Sequence, residues 1–392
     1  MPNPRKYKVT FGGWYQRTTL HLSEIYDLLE LGRSKLNLDK KKLRDFHLLL
    51  DLKEVTRETE LLEHVKATTN TGIEIRYFED GLYILEIKSD DIKSAQRLLE
   101  QYFNNIFNPA ISYIFSLGAP TPKALANIKA VHPTVVSTTI KKPTGFKVDI
   151  NEFGEVYSKI SSKNVNVYKT PGYIFIISAS KDEKIVSDLV ETQIFFREFK
   201  DQLEKYLDIH RSIWEEIAYI KEKKFIKGRE VGKTREKLEA FKKTIDLISS
   251  RIDQMKSYIR TRQSVAKKLE IEKQLNEIFQ YKFEVLADTH AYIKEIWNMT
   301  RNYVSSAIQV IIEVENKTTT ISIQTLQVIT SIGVVSGILG YLAGDKLPKV
   351  TSTGLIYFSL LVFATLLINW IVSLVYKNRK YKLKFTKRAK KI

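Results

Sequence analysis

A stripe of small and hydroxyl-bearing residues near the C-terminal end has a spacing that could form a surface for binding a cation. Its members recur every three or four positions, which places them on one face of a helix: Ser322, Thr325, Ile329, Gly333, Ser336 and Gly340. Hydroxyls and backbone carbonyls offer neutral dipoles, which suit a hydrated cation that must be released again. The same face suits close helix packing, because Gly333 and Gly337 form a small-xxx-small pattern. A cation path and plain packing both remain open.

Other kinds of site have little support in the sequence. The chain has no cysteine, which excludes disulfides, thiolate zinc sites and cysteine nucleophiles. Its six histidines show no paired ligand spacing, so a metal would need oxygen ligands, which favour hard cations such as magnesium. The segment Gly228–Thr234 (GREVGKT) has one residue too few between its glycines for a phosphate-binding loop. We therefore expect a protein that is not an enzyme and has no covalently bound cofactor.

Two long uncharged stretches, Thr318–Gly344 and Val350–Tyr376, stand out in a chain of which 28% is charged. An apolar helix of about 20 residues crosses the hydrocarbon layer of a bilayer. The stretches therefore predict two transmembrane helices, at about 318–343 and 353–376. The tail that follows, 377–392, holds nine Lys or Arg and no acid, which indicates the cytoplasmic side. We expect a multi-pass protein of the cell membrane with both termini in the cytoplasm.

Residues 1–180 carry strand and helix signals that predict a cytoplasmic α/β domain. Strands are expected at Tyr7–Phe11, Gly72–Phe78, Leu82–Lys88, Val165–Lys169 and Gly172–Ala179. Asp80-Gly81 and Pro171-Gly172 are hairpin-turn dipeptides. The two hairpins align with each other, and each precedes an amphipathic helix. The domain is either a duplicated ββα unit joined by a linker at 117–145 or a pair of unrelated hairpins with similar patterns.

From residue 181 onward the pattern is helical and predicts no further strand. Residues 181–280 are predicted to form a helical hairpin region, and residues 281–343 one stalk helix of about 60 residues that continues into the first span. The stalk has an apolar seam with coiled-coil spacing: Phe283, Leu286, His290, Ile293, Trp297, Thr300, Val304, Ile308 and Ile311. We expect His290 to be a packed or hydrogen-bonded core residue rather than a metal ligand.

The chain is strongly basic, with a formal net charge of +18, and half of that excess lies in the tail 377–392. A cationic tail beside a membrane is attracted to anionic lipid head groups. A second basic cluster, Lys221–Lys237, lies at the predicted hairpin turn and suits solvent, anionic lipid or acidic residues of a neighbouring subunit. We expect membrane lipids as partners and no nucleic acid.

The order of these elements resembles the CorA-type magnesium and divalent-metal transporters. The segment Asn316–Asp345 is similar to that family's membrane-entry and first-span sequence. The family's pore-lining positions fall on Thr319, Ser322, Thr325, Ile329, Gly333 and Ser336, and Gly340 follows in phase. The family's Gly-Met-Asn signature falls on Ala343-Gly344-Asp345, so the resemblance implies Asp345 as the metal-binding residue at the pore entrance.

The sequence as a whole predicts an α/β cytoplasmic domain plus a long helical stalk and two C-terminal transmembrane helices. The resemblance implies a homo-oligomeric channel or transporter, assembled as a pentamer, that moves Mg²⁺ or another divalent cation along the first span. The alternative function is a membrane-anchored oligomeric scaffold or sensor that does not transport.

Overall fold

The structure is a computed structural model that describes residues 7–15, 21–59, 61–115, 133–162, 164–179, 183–280, 282–342 and 352–383. The chain divides into two compact units. Unit 1 comprises Met1–Ile209 and Ile248–Glu295, and unit 2 comprises His210–Leu247 and Ile296–Ile392.

Unit 1 is built on a nine-stranded mixed sheet. In chain order its strands are β1 (Tyr7–Trp14), β2 (Leu52–Glu58), β3 (His64–Thr69), β4 (Glu74–Phe78), β5 (Leu82–Ser89), β6 (Thr134–Thr139), β7 (Ser158–Ser161), β8 (Val165–Lys169) and β9 (Tyr173–Ser178). Their order across the sheet is β2-β3-β4-β5-β1-β6-β9-β8-β7. All pairs are antiparallel except β6 and β9, which run parallel.

The helices of the chain are short in the first half and long in the second. The short ones are α1 (Leu22–Leu31), α2 (Lys40–Leu50), α3 (Ile92–Tyr102), α4 (Asn108–Phe115) and α5 (Ile150–Phe153). The later ones are α6 (Glu183–Glu222), α7 (Gly228–Lys268), α8 (Glu272–Phe279), α9 (Phe283–Leu342) and α10 (Ser352–Asn378). Aspartates cap three of the short helices: Asp39 accepts from Lys41 N, Asp91 from Ser94 N, and Asp149 from Asn151 N.

The core of unit 1 lies on both faces of the sheet. On one face, strand residues such as Val9 and Leu85 pack against helix residues such as Leu28 and Leu99, all completely buried. The start of α6 lies against the sheet through Arg197, whose guanidinium donates to the carbonyl oxygens of Gly12 and Pro133, both at 2.9 Å. The strands predicted from the sequence all form, with ends shifted by a few residues. The sequence did not predict β2, β3, β6 or β7, and β6 lies within the predicted linker 117–145.

The long helix α9 has 60 residues and is continuous, as its uninterrupted pattern predicted. Its predicted seam is buried from Phe283 to Ile311, with one change: Ala307 replaces the half-buried Ile308 in the buried face. His290 is 3% exposed, and its Nε2 lies 2.5 Å from the carbonyl oxygen of Ile252. The prediction that His290 is a packed core residue is confirmed.

Unit 2 is held by helix packing and by a short second sheet. Trp214 stacks on Tyr303 with ring centroids 4.4 Å apart, and Trp297 is completely buried. Strands β10 (Phe225–Lys227) and β11 (Lys380–Lys382) pair antiparallel. The prediction that no strand follows residue 181 is therefore wrong. A three-residue strand that is rich in lysine has no local sequence pattern that predicts it. Whether such a strand forms depends on its pairing with a distant segment.

The predicted pair of transmembrane helices is also not supported. α9 and α10 cover the two uncharged stretches, but within the described parts of the chain no helix is long and apolar enough to span a membrane. The prediction rested on the absence of charge, whereas a span needs continuous apolar surface. In α9 the uncharged stretch contains polar residues among the apolar ones, such as Gln324, Gln327 and Thr330. The fold is a mixed-sheet domain with long helices.

Candidate functional site

The predicted stripe, together with Thr319, lies in the second half of α9, in unit 2. Thr325 and Ile329 are half-buried, and Gly333 is exposed. Thr319, Ser322, Ser336 and Gly340 belong to the same helix, where the structure describes their backbone only. Asp345, the predicted metal residue, lies outside the described residues. The helical spacing does place the seven stripe positions on one side of α9.

Within the stripe, Thr325 has a defined partner. Its Oγ1 lies 2.9 Å from the hydroxyl oxygen of Tyr376 in α10. Thr330, a nearby threonine outside the stripe, bonds back to its own helix through the carbonyl oxygen of Leu326. The Thr325–Tyr376 contact fixes this part of α9 against α10.

Many large apolar side chains around the stripe are exposed. On α9 they include Val328 and Val334, exposed by 59% and 60%. On α10 the exposed set is larger: Ile356, Leu360, Val362, Phe363, Leu366, Leu367, Ile368, Trp370, Ile371, Leu374 and Val375. Scattered exposed apolar residues are normal, but contiguous apolar surfaces mark interaction sites. The last part of α9 and α10 together therefore form a surface that suits a partner.

A second candidate site, in unit 1, was not predicted from the sequence. Arg262 of α7 is 3% exposed and donates from Nε to Asp80 Oδ2 at 2.6 Å and from Nη2 to Asp80 Oδ1 at 3.0 Å. Its Nη1 donates to Glu191 of α6. The guanidinium also lies over Phe78, with 4.8 Å between Cζ and the ring centroid. Burial would lower the pKa of Arg262, but Asp80 and Glu191 raise it.

The network continues across the sheet through Arg76 of β4. Arg76 donates to Glu191 at 3.0 Å and to Glu86 of β5 at 3.3 Å, and Lys8 Nζ lies 2.6 Å from Glu86. Burial would raise the pKa of Glu86, but Arg76 and Lys8 lower it below the ordinary value. With Arg262 and Asp80 included, the network joins three basic and three acidic side chains: Lys8, Arg76 and Arg262 with Asp80, Glu86 and Glu191. A buried network of this kind is stable only while every member keeps its partners.

The network borders a cavity of about 370 Å³, which has the size of a small-ligand pocket. Acidic and basic side chains line it in equal numbers, together with His64 and an apolar wall that includes Phe78 and Val265. Among the described residues no cluster of histidine and acidic side chains could hold a metal ion. The chemistry of the cavity suits a small molecule that carries both charges.

The sequence contained a partial signal for this site. Asp80 was assigned to a hairpin turn, which is correct, since Gly81 has φ +89° and its amide donates to Phe78 O. The role of Asp80 in holding Arg262 could not be seen, because Arg262 is one of many cations along a basic helix. A pairing across 182 positions leaves no local pattern.

No family model matches the chain, and no curated protein matches it. Among solved structures, the CorA magnesium transporter from Methanocaldococcus jannaschii matches with 12% identity and a TM-score of 0.28, over 62% of this chain and 90% of that one. The chain is similar to a CorA transporter at this level, which is too low to establish a shared family or activity.

Proposed function

We propose that the chain acts at the cell membrane as a homo-oligomer of CorA type, with five copies, that transports a divalent cation. The stripe from Thr319 to Gly340 would line the ion path, with Asp345 at its entrance. The transported ion would be Mg²⁺ or another divalent metal, and the chain would carry out no chemical conversion. The observation that carries this proposal is the exposed apolar surface on α9 and α10 that surrounds a polar stripe.

The apolar surface favours self-association. Val328 and Val334 of α9, exposed by 59% and 60%, are typical of it. A soluble monomer rarely exposes a contiguous apolar patch of more than a few hundred Å². Further copies of the chain would cover these side chains and bring the stripes of neighbouring α9 helices together.

The stripe favours a hydrated ion. Hydroxyls and the exposed backbone at Gly333 can bind the water around a cation without holding the cation permanently. Magnesium loses its water reluctantly, so neutral dipoles suit it better than a closed carboxylate cage. The neutral stripe and the proposed carboxylate at position 345 together would select for cations over anions.

Single-cysteine cross-linking tests the proposed arrangement, because the chain has no native cysteine. Gly333→Cys places a thiol on the stripe, and Leu360→Cys places one on the exposed face of α10 as the matched control. We expect oxidation to link copies of Gly333→Cys, with much less linking of Leu360→Cys. If both variants link equally, the stripes do not line the axis of the oligomer. The same conclusion follows if Gly333→Cys does not link although the chain is an oligomer by size.

A scaffold or sensor without transport is the second candidate, and the charged cavity of unit 1 favours it. A ligand with both charges would bind between Arg76 and the acidic residues of the wall. A thermal-shift screen of the full chain with free amino acids tests this function, with Glu74→Gln as the cavity variant and Glu239→Gln in unit 2 as the control. A rise in melting temperature that Glu74→Gln removes and Glu239→Gln keeps supports a sensor. If no free amino acid raises the melting temperature, the chain is not a sensor of amino acids.

A further inference from the structure

Strands β10 and β11 join two basic segments of unit 2 that are 150 residues apart in sequence. Ile226 pairs with Tyr381, and Lys227 with Lys380. Two more bonds extend the contact: Gly228 N donates to Arg379 O at 3.1 Å, and Leu383 N to Lys224 O at 3.0 Å. The pairing also depends on a close approach, since a Cβ at Gly228 would lie 2.5 Å from Tyr376 O.

The pairing gathers cations on one side of this small sheet. Ile226 and Leu383 are buried, at 3% and 7% exposure. Alternation along a strand then places Phe225 and Lys227 on the opposite side, together with their partners Lys382 and Lys380. Like charges directly opposite each other destabilise a strand pair. The fold therefore maintains this concentration of positive charge at a cost in stability.

Neighbouring acids do not neutralise this cluster, which we define as Lys223, Lys224, Lys227, Arg229, Arg379, Lys380 and Lys382. Within the described residues none of the seven forms an ion pair with a carboxylate, although Glu222 and Glu230 lie close in sequence. Further along α7 the pattern differs: Arg235 pairs with Glu239 and Glu315, and Lys237 with Glu216. Lys223 Nζ lies 4.7 Å from the ring centroid of Tyr219, and the other six cations remain available to an external anion.

The cluster continues directly into exposed apolar surface. α10 ends at Asn378, and one residue, Arg379, separates it from β11, which begins at Lys380. The last turns of α10 expose Trp370, Leu374 and Val375 by 63%, 39% and 59%. On β10 Phe225 is 53% exposed. Cations beside exposed aromatic and aliphatic side chains are typical of segments that lie in the interface of a bilayer. A nucleic acid or an acidic protein surface would bind the cations, but it would leave the neighbouring apolar side chains exposed to water.

We propose that the β10–β11 sheet binds the anionic head groups of a lipid bilayer, with the lysines and arginines on the phosphates and Phe225 and Trp370 in the interface. This inference does not depend on cation transport, because lipid binding can be measured without an ion gradient. The sequence alone allowed three surroundings for this cluster: solvent, anionic lipid or acidic residues of a neighbouring subunit. The proposal selects the lipid.

Vesicle flotation of the full chain tests the proposal. The vesicles are phosphatidylcholine alone or phosphatidylcholine partly replaced by phosphatidylserine. The variant is Lys380→Gln with Lys382→Gln, and the matched control is Lys242→Gln with Lys243→Gln, two exposed lysines of α7 in the same unit. Each interfacial cation is expected to contribute about fivefold to partitioning, so the variant should lose on the order of 30-fold of the phosphatidylserine-dependent binding. The control should lose little.

Three results overturn the proposal. Wild type could bind both vesicle types equally, which leaves no role for the anionic head group. The control could lose as much binding as the variant, which indicates a general effect of net charge. A short single-stranded RNA could displace the protein from phosphatidylserine vesicles at equal phosphate concentration, which identifies a nucleic-acid interface. Unchanged binding to neutral vesicles by the variant checks that it remains folded.

Discussion

Arg262 and Asp80 form a two-point pair in unit 1, with N–O distances of 2.6 and 3.0 Å and side chains that are 3% and 4% exposed. The pair joins α7 to the turn between β4 and β5. Glu191 accepts from the remaining nitrogen of Arg262, so all of its guanidinium nitrogens have partners. The network is therefore balanced in charge, and its members depend on one another.

Replacing Arg262 by Met should destabilise unit 1 by about 3–5 kcal/mol, because it leaves two buried carboxylates without their cation. Amide hydrogen exchange along β5 measures the loss within unit 1. Adding Asp80→Leu to Arg262→Met should recover part of the lost stability, because it removes one of the two buried carboxylates that have no cation. Arg235→Gln, which breaks an exposed pair, is the control and should change little. A cost for Arg262→Met as small as that of Arg235→Gln would contradict the network.

Glu86 should contribute to acid unfolding of unit 1. Its pKa is lowered in the folded state, so its charge stabilises the fold above the unfolded pKa of about 4.3, and that contribution is lost as the pH falls through the folded value. Glu86→Gln should flatten the decline in stability below about pH 5. Hydrogen exchange of β5 amides at a series of pH values measures this. Glu54→Gln, a change at an exposed β2 position, is the control, and a Glu86→Gln profile as steep as wild type would disprove the assignment.

His290 should make stability fall between neutral and mildly acidic pH. Burial lowers its pKa in the folded chain, so the unfolded chain binds the proton more readily. Its contribution to stability is therefore present above the unfolded value of about 6.5 and is lost as the pH falls below it. His290→Gln should reduce this slope, measured by urea unfolding at several pH values. His210→Gln should remove a further part, because burial also lowers the pKa of His210. An unchanged slope in both variants would refute the prediction.

Gly228→Ala should separate β10 from β11, because its Cβ would lie 2.5 Å from the carbonyl oxygen of Tyr376. Gly232→Ala is the matched control: it is four residues further along α7, has no atom within 4 Å of a built Cβ, and should stabilise the helix by about 0.5–1 kcal/mol. Exchange protection of the Leu383 amide, which donates to Lys224 O, reports the pairing directly. Protection that survives Gly228→Ala would contradict the close approach.

Local periodicity made part of this fold predictable. The seam from Phe283 to Ile311 follows a 3–4 spacing that only a packed helix explains, and His290 was placed correctly on it. The turn at Asp80-Gly81 fixed the β4–β5 hairpin, because turn chemistry is local. β2 was missed since its sequence, LKEVTRE, is mostly polar and only half-buried. The parallel pairing of β6 and β9 depends on contacts that a local pattern cannot carry.

The candidate sites were predictable to different degrees. The stripe on α9 was visible because its members share one helical face. The Arg262 network and the β10–β11 sheet were not, since both join residues that lie far apart in the sequence. The two predicted spans were wrong because missing charge was taken as evidence of apolar surface. The two cation-rich segments pair as β10 and β11, and only the backbone bonds between them show this.

Metal uptake into proteoliposomes tests the central claim most directly. Purified chain is reconstituted and uptake of Mg²⁺, Co²⁺, Ni²⁺ and Zn²⁺ is compared with empty vesicles. Wild type should take up at least one of these ions. Uptake should fall severalfold in Gly333→Val, which adds apolar bulk to the stripe, but not in Val335→Ala beside it. If neither wild type nor Asp345→Asn moves any of the four ions above the level of empty vesicles, the chain is not a divalent-cation transporter.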